Sequence, residues 1–294
     1  MIRRASLLLA FVVLTSALVP LLGPARSAND NAPIAAGRVH QRFQPRKGKI
    51  FVLVIGSDAR NGNPNLRADA IHIAGINTKT MRAGILNFPR DSWVNIPGRG
   101  SAKINEALYV GGPTLLAKTL EAETGIRIDY WVMVGFEGFD SIIRAVGPIQ
   151  IDIPRPIFDP GGSGAHISAG KKKLYSIDSL AFVRTRKAFS GGDITRTTNQ
   201  GRFLLAMLRE LRHDIERDPA VLLDWVAATR RHARLNISPS EIFRLGILTS
   251  QVKPSDVGNV TVPASVGSAG AASVVFIRPE ARAIYARFKK SGRL

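Results

Sequence analysis

With 294 residues, 45% of them hydrophobic, the chain has enough apolar material for one large domain or two small ones, which excludes a mainly disordered protein. Lys and Arg number 41 against 22 Asp and Glu, so the formal charge of +19 points to an anionic partner: nucleic acid, a membrane surface or a phosphorylated substrate. The absence of cysteine excludes disulfides, thiolate zinc sites and cysteine nucleophiles.

The amino terminus bears on location. Arg3 and Arg4 precede an apolar run over residues 5–22, about the 18 residues at which a spanning helix becomes possible. Residues 1–28 therefore read as a signal peptide, or as an anchor that leaves the two arginines in the cytoplasm. Either way the chain is expected to be exported: held at the cell membrane facing the periplasm or cell surface, or secreted if the segment is cleaved. Export argues against nucleic acid as the partner. Residues 29–49, with Pro33, Gly37 and Pro45, read as a tether, and 50–294 as one folded domain.

Residues 50–55 are a continuous apolar run that ends at Gly56, as in a strand buried on both faces, and they deliver Ser57, Asp58 and Arg60 to its end. Arg67 and Asp69 lead into a second strand over 70–76; a third, over 83–88, ends at Pro89-Arg90-Asp91. An antiparallel meander of the three makes Asp58, Asp69 and Arg90 neighbours at one edge. Two carboxylates with no histidine or cysteine beside them repel unless something cationic lies between. That is either a hard ion such as Mg²⁺ or Mn²⁺, or Arg60, Arg67 and Arg90 in an ordinary ion-pair cluster.

A short helix beginning at Lys103 stops at Gly111-Gly112, and Pro113 opens another that Gly125 ends. Residues 128–134 read as a strand, Phe136–Val146 as a helix and Ile149–Ile153 as a strand, an alternation typical of α/β or α+β domains. The Pro/Gly-rich stretch 154–164 reads as a mobile flap. His40, His72, His166, His213 and His232 have no second ligand at metal spacing and read as structural or solvated. Ser176 is expected to cap the next helix.

Arg184 and Arg186 then point the same way if extended, and beyond Ser190-Gly191-Gly192 a helix puts Asp193, Arg196 and Gln200 on one face. Guanidinium forks converging across a turn suit a phosphate; the alternative is a solvated basic turn. Helical apolar faces follow at Phe203 to Leu211, after Pro219 and after Pro239, and these read as core. Strands over 257–262 and 274–277 and a helix over 279–290 close the chain.

Taken in order, Gly56-Ser57-Asp58-Ala59-Arg60, Arg67-Ala68-Asp69, Phe88-Pro89-Arg90-Asp91 with Ile96-Pro97-Gly98, Lys103-Ile104-Asn105 with Gly111-Gly112, Phe136-Glu137-Gly138-Phe139, Arg184-Thr185-Arg186 and Asp193-x-x-Arg196-x-x-x-Gln200 resemble the LytR-CpsA-Psr family over about residues 50–290. The resemblance implies an α/β (α+β) fold, a central mixed sheet sandwiched by helices on both faces, behind an N-terminal membrane or signal helix. It implies a membrane-anchored, extracytoplasmic phosphotransferase that moves a phosphoglycan from a polyprenyl-pyrophosphate carrier to a hydroxyl of a cell-envelope acceptor, usually peptidoglycan, with Mg²⁺ or, alternatively, Mn²⁺. Asp58 and Asp69 are assigned to the metal by the resemblance. Arg60, Arg67, Arg90, Arg184, Arg186 and Arg196 are assigned to the pyrophosphate, with Lys103, Asp193 and Gln200 in support. The catalytic set is then Asp58, Asp69, Arg90 and Asp193, the hydroxyl proton passing to Asp193 or to an aspartate of the metal pair. The polyprenyl tail calls for an apolar channel, to which the stripes 142–146 and 203–208 can contribute. The same residues fit a polyprenyl-pyrophosphate hydrolase, with water as acceptor, and a non-enzymatic anionic-polymer-binding or regulatory protein. Asn199, Arg144 and Pro148 depart from the family pattern, where arginine, aspartate and glycine are common.

Overall fold

The apolar runs in the first third of the domain pair with one another in the order in which they occur. In the computed structural model, which describes residues 48–58 and 66–294, β1 (Lys49–Ser57), β2 (Ala68–Asn77) and β3 (Arg82–Phe88) form an antiparallel meander. A hairpin of β4 (Trp93–Ile96) and β5 (Gly100–Lys103) leads to α1 (Glu106–Thr124). Then come β6 (Tyr130–Val134), α2 (Phe136–Val146) and β7 (Ile149–Ile153), the last two with the limits expected from sequence. The hairpin β8 (Ile157–Asp159) and β9 (Ala165–Ile167) follows, and β10 (Gly170–Leu174) pairs with β7. Helices α3 (Ser176–Arg184), α4 (Gly192–Arg217) and α5 (Val221–His232) come next. The chain ends with β11 (Arg234–Leu235), α6 (Pro239–Gln251), β12 (Val257–Thr261), β13 (Ala264–Ala269), β14 (Ala272–Ile277) and α7 (Ala281–Ser291).

The central sheet runs β11-β6-β1-β2-β3-β12. β6 lies parallel to β1 and β12 parallel to β3, so the sheet is mixed, as expected. Alternation divides its two faces. Leu53, Ile55, Ile71, Ile73, Leu86 and Phe88 pack on one face with Leu116 and Leu120 of α1 and Tyr285 and Phe288 of α7. Each such side chain contributes about 1.5–3 kcal/mol on burial. On the other face, Ile50 and Tyr130 meet Ile242 of α6. A second cluster joins Ile143, Phe182, Phe203, Leu222 and Trp225 from α2 to α5. Ser238 and Glu241 form a reciprocal cap that starts α6 at Pro239, where the sequence places it.

Several expectations are corrected. The stretch 154–164, where no strand was expected, holds β8 and the turn of the β8–β9 hairpin, and Asp159 organises that turn: its carbonyl accepts from the Gly162 and Gly164 amides and its carboxylate from Ser163. Ser176 does not cap α3; Tyr175 holds that position, with no side-chain bond. Arg184 ends a helix rather than lying on an extended segment. α1 breaks as expected at Gly111-Gly112, because Gly112 adopts φ 66°, ψ −167°, a conformation open to glycine alone. The expected N-terminal signal or anchor, the tether before residue 48 and Arg60 lie outside the described residues. No helix among the described residues is long and apolar enough to cross a membrane.

Candidate functional site

A β-bulge aims the second aspartate. Gly56 pairs with Ala70 but Ser57 pairs with Ala68, so Asp69 is the extra residue, with no partner across the ladder. In unbroken alternation from Ile71, Asp69 faces the core; the bulge buries Ala68 there instead and leaves Asp69 lining a cavity with Ala70 and His72. Asp58, at the end of β1, lines the same cavity. Its Oδ1 accepts from the Arg67 amide at 2.8 Å and its own amide donates to the Arg67 carbonyl at 3.2 Å.

Arg90, just past β3, closes the edge. Its Nη1 donates to Asp69 Oδ1 at 2.5 Å, and its Nε lies 3.8 Å from Asp91 and 3.9 Å from Asp193. Lys103 reaches Asp91 at 3.1 Å, and Arg196 donates to the Asp193 carboxylate one helical turn away. Burial works against the charge on Arg90, yet Asp69, Asp91 and Asp193 hold its pKa above the ordinary arginine value. Burial raises the pKa of Asp193, against the pull of Arg196 and Arg90, and lowers that of Arg196.

This network is left incomplete by protein alone. Most of the buried side-chain polar atoms without a hydrogen-bond partner, among the described residues, gather here: Ser57 Oγ, Arg90 Nε, Asn105 Oδ1, Asp193 Oδ2, Arg196 Nε and Gln200 Oε1. Such atoms cost about 1–3 kcal/mol each unless a ligand or water meets them.

The cavity has a volume of about 500 Å³ and lies between β1, β2 and β6 of the sheet and helices α2, α3 and α4. Its polar wall carries Asp58, Asp69, Arg90, Arg184, Arg186, Lys187, Arg196 and Gln200. The rest is apolar, with Val54, Val132 and Val134 from the sheet and Phe136, Phe139, Ile142, Leu180, Phe203, Leu204 and Met207 from the helices. The second face of β1, expected under core, is thus partly cavity wall. Ile142, Phe203, Leu204 and Met207 belong to the stripes named from sequence. Val146 and Leu208 of the same stripes pack into other clusters.

The arginines converge, by a different route from the one expected. Arg184 stacks its guanidinium over the Phe136 ring, 4.9 Å from the centroid. Thr185, between the two arginines, shares a 2.8 Å hydroxyl bond with Ser163 of the β8–β9 turn. Gln200 Nε2 donates to the carbonyl of Val183 at 3.1 Å and approaches that of Asp69 at 3.4 Å, joining α4 to both walls. Arg67, which is exposed, and the half-buried Lys103 and Asp193 are not among the lining residues. Asn199 faces a smaller cleft with Pro154, Phe189 and Arg202, so that departure from the family pattern does not touch the main cavity.

Sequence reasoning left His72 out of the site. The ring lines the cavity, its Nδ1 bonds Asn87 Oδ1 at 2.7 Å, and Asn87 donates to Asn259 at 2.7 Å. Burial lowers its pKa to about 4, outweighing the Asn87 bond, so the ring is neutral at pH 7. Gly201 makes room for this chain: a Cβ there would stand 2.4 Å from Asn259 Oδ1 and 2.6 Å from Asn87 Oδ1. The one signal available was a lone histidine inside an otherwise apolar strand.

Among the described residues no three His, Asp or Glu side chains form a protein cage for a cation. Mg²⁺ needs none: it takes one or two carboxylates and fills its octahedron with water and substrate phosphate. Asp58 and Asp69, hard donors on one cavity wall, fit that requirement.

Known proteins are similar to this chain in sequence, and solved structures share its fold. The chain is 31% identical over 229 residues to the regulatory protein MsrR of Staphylococcus aureus, covering 77% of this chain and 68% of that one. It is 35% identical over 170 residues to the probable cell wall biosynthesis protein LcpB of Corynebacterium glutamicum, covering 53% and 40%. With the polyisoprenyl-teichoic acid–peptidoglycan teichoic acid transferase TagU of Oceanobacillus iheyensis it shares 33% over 189 residues, covering 62% and 58%. The match thus spans less than two thirds of LcpB and of TagU. Bacillus subtilis TagV superposes with a TM-score of 0.71 at 22% identity, over 84% of this chain and 98% of its own. TagT bound to LI-WTA gives 0.70 at 24%, over 88% and 97%. Both share the fold. The LytR_cpsA_psr family model matches residues 22–290, nearly the whole chain, and this protein is a member of the LytR-CpsA-Psr family.

Proposed function

We propose that the protein is an exported, membrane-associated phosphotransferase that moves a phosphoglycan from a polyprenyl-pyrophosphate carrier to a hydroxyl of a cell-envelope acceptor. One observation carries this reading: a single cavity joins an arginine cluster, with buried polar atoms left unpaired around it, to a deep apolar pocket. A ligand that satisfies both halves is a multiply charged anion on a long hydrocarbon. The names of TagU, a teichoic acid transferase acting on peptidoglycan, and of TagT bound to LI-WTA support the same class.

In this reading Arg184, Arg186 and Arg196 grip the pyrophosphate and Arg90 keeps Asp69 oriented toward it. Asp58 and Asp69 would hold Mg²⁺ (or Mn²⁺), which would neutralise charge on the phosphates when bound. Arg67, whose amide bonds the Asp58 carboxylate, extends the cationic rim, and Arg60, two residues after Asp58 in the sequence, is the further arginine that the family resemblance assigns to the pyrophosphate. Asp193 and Lys103 act by position, the first on Arg90 and Arg196, the second on Asp91. The acceptor oxygen bonds to the glycan-side phosphorus while the bridging P–O bond breaks and polyprenyl phosphate departs with its electrons. The hydroxyl proton passes to Asp58 or Asp69, the carboxylates that line the cavity. The apolar walls hold the tail and keep water from the reacting phosphate.

The test is product analysis with purified full chain, a polyprenyl-pyrophosphate-linked glycan and a peptidoglycan fragment. Glycan joined to the fragment by a phosphodiester, lost in Arg186→Ala and suppressed by chelator, is the expected result. Free phosphoglycan regardless of acceptor would make the protein a hydrolase. Binding without any product, steeply salt-dependent and indifferent to Mg²⁺, would make it a polyanion-binding or regulatory protein.

A further inference from the structure

The wall that closes the cavity between β8 and α3 has an outer side of its own. Ile157, Ala165 and Ile167 of the hairpin pack inward on Ala181 and Phe182 of α3, while Ser163, Leu180 and Val183 line the cavity. Outward, Phe158 is 65% exposed, Tyr175 63% and Ile177 72%, a concentration of bare apolar side chains within twenty residues. Phe158 is steadied edge-on by the His166 ring at 5.4 Å. Nothing in the core asks for these side chains there; burial elsewhere would contribute about 1.5–3 kcal/mol apiece.

Charge singles out the occupant. On β10 the residues alternate, with Leu174 buried and Lys171 and Lys173 on the opposite, exposed side. Tyr175 continues that row in extended backbone, with φ −76° and ψ 177°. Arg155 and the half-buried Lys172 add positive charge nearby in the chain; the exposed acids of these segments are Asp152, across from Lys171, and Asp178. Aromatic rings and an isoleucine bordered by lysines match the interface of an anionic bilayer, where rings sit at headgroup depth and each lysine is attracted by surface potential. We infer that the face formed by the β8–β9 hairpin, β10 and the first turn of α3 rests on an anionic lipid surface. This surface rests on exposure and charge, not on the reaction proposed above, and its failure would leave that reaction untouched.

The absence of cysteine makes the test direct. Full chain carrying Phe158→Cys, Ile177→Cys or, as a control on another exposed hairpin, Val266→Cys takes an environment-sensitive fluorophore at a single position. Each is reconstituted with vesicles of phosphatidylcholine alone or of phosphatidylcholine and phosphatidylglycerol in equal parts, containing brominated acyl chains as quenchers. The expected result is a blue shift and quenching at 158 and 177 in the anionic vesicles, with little at 266, and loss of most of the quenching when Lys171→Gln and Lys173→Gln are added. Silence at 158 and 177, equal quenching at 266, or indifference to the lysine changes would overturn the inference. So would an equal blue shift on adding soluble polyglutamate without lipid, which would assign the face to a polyanion. Near-ultraviolet circular dichroism of each labelled variant verifies that it is folded.

Discussion

Arg90 spends its shortest bond on Asp69, 2.5 Å from Nη1 to Oδ1, while its Nε stands between Asp91 and Asp193 without a hydrogen bond to either. One guanidinium therefore spans the end of β3, the bulge of β2 and the start of α4. Arg90→Gln should lower transfer by about 10²–10³-fold, the usual loss when one aligned charged donor is removed. Because Asp69 and Asp193 would then lack their shared cation, stability should also fall, by about 1–3 kcal/mol. Denaturant titration beside the transfer assay separates the two effects; unchanged turnover in a folded variant would remove Arg90 from the machinery.

Acid should weaken the fold through His72. Its folded pKa is lowered to about 4, so its contribution is fully present above the ordinary histidine value near 6.5 and is lost as pH falls through 4. That contribution is at most about 3 kcal/mol. Urea midpoints at pH 7 and pH 4.5 should diverge less in His72→Gln than in the parent. An identical difference in both would mean that carboxylates alone govern the acid limb.

Gly201→Ala should destabilise by about 1–3 kcal/mol through overpacking, since the new methyl meets two amides fixed to each other and to His72. Double substitution with Asn259→Ala should recover part of the loss. A thermal melt of the single and double variants measures this.

Met207→Glu puts a charge into the apolar wall of the cavity. Affinity for a long polyprenyl-pyrophosphate donor should drop about tenfold or more, whereas a donor with a single isoprene unit should bind as before. Calorimetry with both donors checks it, and equal losses would place the tail elsewhere.

Much of this site is legible because its residues sit at strand ends. The meander follows from three apolar runs with turns between them, and once it forms, Asp58, Asp69 and Arg90 meet at one edge. The bulge was hidden, since one extra residue leaves no mark on composition. The helical part of the apolar wall lies on stripes named from the sequence, but the sheet's part was hidden for another reason: Val54 and Val132 carry the same signal whether a helix or a void lies over them. The β8–β9 hairpin has three-residue strands, too short for a period to show, and its Pro and Gly content reads as loop. Arg184 and Arg186 both line the cavity although Arg184 is helical: the helix ends at Thr185, at φ −59° and ψ 126°, and the bond of Thr185 to Ser163, far away in the chain, was not legible in the sequence.

The bulge at Asp69 makes length, more than chemistry, the sensitive property of this stretch. Removing Ala68 restores regular pairing, sets Asp69 opposite Ser57 and rotates its carboxylate into the packed face of the sheet. A conservative replacement at position 70 is a local event. Deleting the codon for Ala68 instead removes a core alanine, misdirects a carboxylate and breaks its bond to Arg90 together, so the bulged segment acts as a ruler whose count the chain must keep.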